Sequence, residues 1–178
     1  ITSNIGDMEN KGAEFVLNTQ NIQGDFTWNT SFNFSANRNK VLKLFNGQPI
    51  TDQGRGNNWV MEGEPIGVFV GYNFLGVDPT TGKEVYEDLN GDKVITTDDR
   101  KITGNPNPDF TLGMTNTFAY KGFDFSFFLH AIIGNDVYNG TWMYLQAPTE
   151  LDQQTTEVLN VWREPGDVAN IPGLADGL

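Results

Sequence analysis

The stretch Phe26–Asn37, FTWNTSFNFSAN, alternates almost without a break. Phe26, Trp28, Phe32, Phe34 and Ala36 fall on one side; Thr27, Asn29, Ser31, Asn33, Ser35 and Asn37 fall on the other. Successive side chains of a strand point to opposite faces, so this pattern predicts a strand with one apolar and one polar face. The polar face carries no charge before Arg38. Two environments fit: a soluble sheet with one wet face, or a barrel wall with lipid outside and water inside.

Neighbouring segments repeat the pattern. Ala13, Phe15 and Leu17 line one side of a run that reaches the Phe26 strand through Gln23-Gly24-Asp25, a tight hairpin ending in the basic Asn37-Arg38-Asn39-Lys40. Further on, Phe110, Leu112, Met114, Asn116 and Phe118 alternate with Thr111, Gly113, Thr115, Thr117 and Ala119. After Tyr120-Lys121-Gly122, the residues Phe123, Phe125, Phe127, Leu129, Ala131 and Ile133 line one face of a return strand. Residues 41–65 show no sustained period and read as a long surface loop. Ile66–Val77 is β-rich, and Asp78–Gly82 turns it towards a short strand at Lys83–Tyr86. Thr155-Thr156-Glu157 is a cap for a short helix, EVLNVWRE, stopped by Pro165. The reading is all-β: an antiparallel meander of long amphipathic hairpins with short turns at one end and long excursions at the other. Aromatics crowd the short-turn ends (Phe26, Trp28, Tyr120, Phe123, Phe125), as in an interfacial girdle. Cross-strand pairs in a soluble sandwich produce the same crowding.

The 178 residues begin Ile-Thr-Ser, which we read as a piece of a longer protein. No run approaches the 18 or so apolar residues of a membrane-spanning helix, which says nothing against a barrel. Absence of Cys excludes thiol chemistry and zinc-thiolate sites, and a net charge of −12 argues against a nucleic-acid partner.

Asp88–Asp99 matches a calcium loop of EF-hand or dockerin type. Asp88, Asn90 and Asp92 take positions 1, 3 and 5, the Val94 carbonyl position 7, Thr96 position 9 and Asp99 position 12. Alternating oxygens that wrap back to a terminal carboxylate suit Ca²⁺ in a structural role. Lys93 replaces the usual glycine and Asp99 the usual Glu, and an acidic Asn-Gly turn is the competing reading. The pairs Glu62/Glu64, Glu84/Glu87 and Asp98/Asp99 read as exposed loop acids, and the single His130 forms no relay. No enzyme signature is present. Trp59, Tyr72, Tyr138, Trp142 and Tyr144, with Asn57, Asn58, Asn135 and Asp136, are of the type that stacks on and hydrogen-bonds sugars, and form a candidate ligand-contact group.

In order along the chain, Gly6–Glu14 (GDMENKGAE), Phe32–Val41 (FNFSANRNKV), Glu62–Gly67, Asp78–Gly82, the DLNGD loop, Gly104–Phe110 (GNPNPDF), Thr115–Phe118, Tyr120–Asp124 and Gly134–Asn139 resemble the SusC/RagA family. These are TonB-dependent outer-membrane transporters of Bacteroidetes. The resemblance implies a large outer-membrane β-barrel filled by an N-terminal plug, with long extracellular loops. Residues 1–178 would be a C-terminal barrel portion without the plug. It further implies a Gram-negative outer membrane, surrounding lipid, a SusD-like surface lipoprotein, TonB acting through the missing N-terminal part, and a glycan or peptide substrate. The alternative is a soluble, calcium-stabilised β-sandwich that binds carbohydrate within a secreted polysaccharide-degrading protein. It predicts that the Phe26/Trp28/Phe32/Phe34 face is covered by a second sheet of this chain.

Overall fold

The computed structural model describes residues 6–51, 58–146 and 153–173. Its contacts divide the chain into two units. The first is built on a four-stranded antiparallel sheet in the order β1-β2-β9-β10. Its strands are β1 (Gly6–Ile22), β2 (Phe26–Leu44), β9 (Phe110–Tyr120) and β10 (Phe123–Ile133). Between β2 and β9 run β3 (Ile50–Thr51), β4 (Asn58–Val60), β5 (Val68–Gly71), β6 (Phe74–Val77), β7 (Glu84–Tyr86) and β8 (Lys101–Gly104). Both expected hairpins form, and β3 pairs with β4 through Ile50↔Val60 and Thr51↔Trp59.

The two turns differ in chemistry. Gly24 supplies φ 142° in the first. In the second, Lys121 (φ 46°) and Gly122 (φ 84°) both take left-handed conformations, which the two-residue turn needs to match strand twist.

The first hairpin is longer than its alternation indicates. β1 begins at Gly6 rather than near Ala13, and β2 runs on to Leu44. The segment from Val41, read above as loop, therefore opens with strand, and its Val41 and Leu44 are buried. Glu62 holds this extension by accepting from Leu44 N at 2.7 Å, while Val41 exchanges backbone bonds with Gly63 and Glu64. Beyond Asn37 the apolar residues Val41, Leu42 and Leu44 fall on both faces, so no alternation marks the strand, and backbone pairing with β1 continues it.

The second unit holds β6 and β7, paired antiparallel around the Asp78–Gly82 turn as expected. It also holds most of β5 and β8, with Thr103 donating to the Phe69 carbonyl. Two expectations are corrected here. A short helix, α1 (Gly140–Leu145), occupies a segment read as irregular; Asn139 caps it by accepting from Trp142 N. The expected EVLNVWRE helix reduces to a 3₁₀ turn at Thr156–Asn160, because Val161 leaves it to bridge Ile171. Trp162 holds this unit together: its indole lies against Gly82 and Gly173, and its Nε1 donates to the Pro79 carbonyl.

Buried apolar residues are few. Among the described residues they are Val41, Leu44, Val68, Val70 and Ile171. No apolar side chain on the long alternating face is among them.

Candidate functional site

The outer face of the sheet is organised in rows set by register. Trp28 lies opposite Phe118, and Phe118 opposite Phe125. The next row is Thr19, Thr30, Asn116 and Phe127; beyond it come Leu17, Phe32, Met114 and Leu129. Phe118 is the centre of an aromatic ladder, with ring centroids 5.8 Å from Trp28, 6.3 Å from Phe26 and 6.1 Å from Phe125. The expected girdle residues Phe26, Trp28 and Phe125 thus share one cluster. Phe15, Leu17 and Leu129 stay about half exposed, and Phe123 and Phe125 more so. A sandwich would have buried this face; among the described residues none of its alternating apolar side chains is buried, which favours the barrel wall.

One row departs from the apolar pattern. Thr30, unassigned by the alternation, and Asn116 lie on the outer face and bond to one another. The Asn116 Oδ1 accepts from Thr30 Oγ1 at 2.7 Å and from Trp28 Nε1 at 2.9 Å, and Asn116 is buried. Asn21 extends the cluster by donating to Thr30 Oγ1. A buried Asn needs partners, and an indole N–H in apolar surroundings needs an acceptor; each meets the other's need. Sequence reading missed this site because a Thr and an Asn within alternating strands carry no signal of pairing across 86 residues.

The opposite face is mixed: Asn18, Asn29, Ser31, Asn33, Thr115 and Thr117 share it with the acids Glu14 and Asp124 and with exposed Val16, Phe128 and Ile132. Asn18, Gln20, Asn29, Ser31, Thr115 and Thr117 line a shallow cleft of about 540 Å³ on it. Gly113 leaves room for the Asn33 amide, which would lie 2.5 Å from any Cβ there. His130 is exposed and stacks on Phe128 at 6.0 Å, in no catalytic arrangement.

At the end of the sheet away from the short turns, motifs far apart in sequence converge. Arg38 donates to the Asp109 carboxylate at 2.8 Å and to its carbonyl at 2.6 Å. Asn39 bonds Asn107 and Ile66, and Asn105 exchanges bonds with Asp136. Gly134 (φ 87°) passes so close to Asp109 that a Cβ would sit 2.1 Å from its Oδ2.

The Asp88–Asp99 loop closes on itself. Asp88 accepts from Gly91 N and Lys93 N, Asn90 from Asp92 N, and Asp92 from Val94 N. Lys93 adopts the positive φ (68°) that glycine usually supplies here. Asp99 is wholly buried and accepts from Leu89 N at 2.9 Å and Thr96 N at 2.7 Å. These amides, Thr96 first, hold its pKa below the ordinary 3.8 against the opposing effect of burial. Among the described residues, no three His, Cys, Asp or Glu side chains converge to hold a metal ion. The donor types suit a hard cation, but in this arrangement the amides already occupy the carboxylates.

Of the five candidate ligand-contact aromatics, Tyr138 and Tyr144 meet in a cleft of about 610 Å³, lined also by Thr141, Met143, Leu145 and Gln153. Trp142 stands on the same helix, 40 % exposed, outside that lining. Tyr72 is taken up in packing: it meets Tyr86 in a tilted pair at 5.6 Å, with the Arg100 guanidinium 5.1 Å above its ring. Trp59 lies on β4, paired with Thr51, in the first unit. Asn57 lies outside the described residues.

No protein-family model matches the chain. It is 38 % identical over 192 residues to TonB-dependent receptor P3 of Formosa agariphila, a match covering 95 % of this chain and 19 % of that protein. It is 36 % identical over 151 residues to TonB-dependent receptor SusC of Bacteroides thetaiotaomicron, covering 78 % of this chain and 15 % of that one. Among solved structures, a chain of the RagAB peptide transporter superposes with a TM-score of 0.81 at 25 % identity, over 98 % of this chain and 21 % of its own length. The chain thus spans about a fifth of the length of such proteins. With an uncovered apolar sheet face and these relatives, the chain belongs to the SusC/RagA-type TonB-dependent receptors.

Proposed function

We propose that residues 1–178 are a C-terminal barrel portion of an outer-membrane, TonB-dependent importer of a glycan or oligosaccharide nutrient. The observation that carries this is the sheet itself: among the described residues no apolar side chain of its alternating face is buried, its opposite face holds a neutral polar cleft, and its turns are short at one end only. In this reading lipid meets the Phe15/Trp28/Phe32/Phe125 side, and the Asn29/Ser31/Thr115 side faces the lumen. The short turns face the periplasm and the long connections are extracellular. A SusD-like lipoprotein would cap the extracellular side, and TonB would act through a part of the protein outside this chain. No enzymatic role is assigned. The neutral lining of the Tyr138/Tyr144 cleft supports contact with an uncharged ligand at the loops.

Deleting the full-length gene is expected to abolish energy-dependent uptake of a labelled oligosaccharide, with recovery on complementation and no recovery in cells lacking TonB. Unchanged uptake in the deletion strain would contradict the proposal.

Calcium at Asp88–Asp99 is a separate proposal, supported by alternating oxygen donors and a positive φ at Lys93. Adding Ca²⁺ to the purified full-length receptor is expected to slow proteolysis of this loop in the wild type but not in a D88N/D92N variant. Equal cleavage with and without Ca²⁺ would leave the loop's own hydrogen bonds as its support.

A further inference from the structure

We propose that the polar cleft on the mixed face of the sheet is a binding site for uncharged, hydroxyl-rich sugar chains, completed by Phe128 as a stacking platform. The proposal rests on the importer reading above and deepens it. It assigns a wall site near the short turns, where cargo is held on its way out of the lumen.

Register builds the site from two rows. Gln20, Asn29 and Thr117 lie side by side, and Asn18, Ser31 and Thr115 form the next row away from the turns. The cleft they line measures about 540 Å³. That lies within the roughly 300–1,000 Å³ of small-molecule sites. Gln20 accepts from Gln23, and the Thr117 and Ser126 hydroxyls meet at 3.4 Å. Among the described residues, the side chains of Asn18, Asn29, Ser31 and Thr115 spend no hydrogen bond on the protein. Amides and hydroxyls each offer both donors and acceptors, and so do the hydroxyls of a sugar. One row further, Gly113 has no side chain, and the Asn33 amide lies over it, which carries the polar lining onward.

Charge narrows the ligand. On this face no Lys or Arg stands between the Glu14 row and the Asp124 row, which bracket the cleft. An anionic chain finds no cation there and a carboxylate on either side. A peptide brings charged termini and side chains that this lining does not answer.

An aromatic ring stands beside the polar groups. Phe128 lies opposite Thr115 in register and is 61 % exposed. His130 stacks on it with ring centroids 6.0 Å apart and planes 14° from parallel, which restrains the ring. The negative face of an aromatic ring attracts the C–H groups of a pyranose, while the neighbouring amides and hydroxyls bond its hydroxyls.

The test uses the full-length receptor in detergent, native cysteines replaced, with N29C, S31C or I132C introduced singly. Each is reacted with an uncharged maleimide, with and without millimolar maltotriose as the probe. Maltotriose serves because the proposed contacts are to hydroxyls common to uncharged hexose chains. The sugar is expected to slow labelling at 29 and 31 several-fold and to leave labelling at 132 unchanged. Adding F128A is expected to abolish the slowing, and F128W to keep it. Labelling at 29 and 31 indifferent to the sugar, or absent in both conditions, would overturn the site. The importer reading would then still stand or fall on the uptake experiment above. Equal slowing at 132 would also overturn the site, and equal slowing by a blocked, uncharged glycine–serine peptide would overturn the sugar assignment.

Discussion

Trp28 on β2 donates its indole N–H to Asn116 Oδ1 on β9 at 2.9 Å, joining positions 88 residues apart. Thr30 donates to the same oxygen. If this bond fixes the indole, Trp28 and Asn116 are energetically coupled. A double-mutant cycle of W28F and N116A in the full-length receptor, read by urea unfolding in lipid, is expected to give a coupling of about 1 kcal/mol. Additive effects would show that the bond contributes nothing measurable.

In the second unit Trp162 lies against Gly82, whose φ is +68°. A Cβ at residue 82 would meet the Trp162 ring at 2.2 Å. Gly82→Ala combines a left-handed backbone with a clash against a ring that also lies close to Gly173. It is expected to destabilise this unit by at least about 2 kcal/mol, read as earlier proteolytic cleavage around Pro79. Gly24→Ala, strained by its own φ of +142° but with nothing within 4 Å of a Cβ, separates the cost of the backbone from that of the clash.

The turn at Lys121 offers the opposite sign. Lys121 holds φ 46° beside Gly122, a position where Asn is better tolerated. Lys121→Asn is expected to stabilise the hairpin by about 0.5 kcal/mol, measured as a shift in the unfolding midpoint.

The buried Asp99 gives the loop its own pH response. Its pKa is lowered in the folded protein, so its contribution is present above 3.8 and lost as pH falls through the lowered value. Hydrogen-exchange protection of the Leu89 and Thr96 amides is expected to hold from pH 7 to pH 5 and to decline only below about 3.8. Asp99→Asn should remove protection of one of these amides at pH 7. Loss of wild-type protection between pH 7 and 5 would assign the closure to another group.

These relationships were unequally legible in the sequence. Alternation exposed the four long strands because an apolar face and a water-facing one demand opposite residue types at every second position. It was silent over residues 6–12, which are mostly polar, and over 38–44, where Val41, Leu42 and Leu44 fall on both faces. α1 escaped notice because six residues with one apolar cluster hold no helical period. In the candidate sites, the spacing of Asp88, Asn90, Asp92 and Asp99 was read as a calcium loop against an acidic Asn-Gly turn; the bonds these side chains make to nearby amides are local ones that adjacent residues encode. The Asn116–Trp28 bond and the Gly82–Trp162 contact depend on register and long-range packing, which no local pattern encodes.

The central claim is that this sheet is a slice of outer-membrane barrel wall. It is tested most directly by the size and partitioning of the native full-length product, followed with an antibody against this segment. The account predicts a protein several times larger than this chain, held in the outer-membrane fraction and released only by detergent. A small product found soluble or secreted would contradict it.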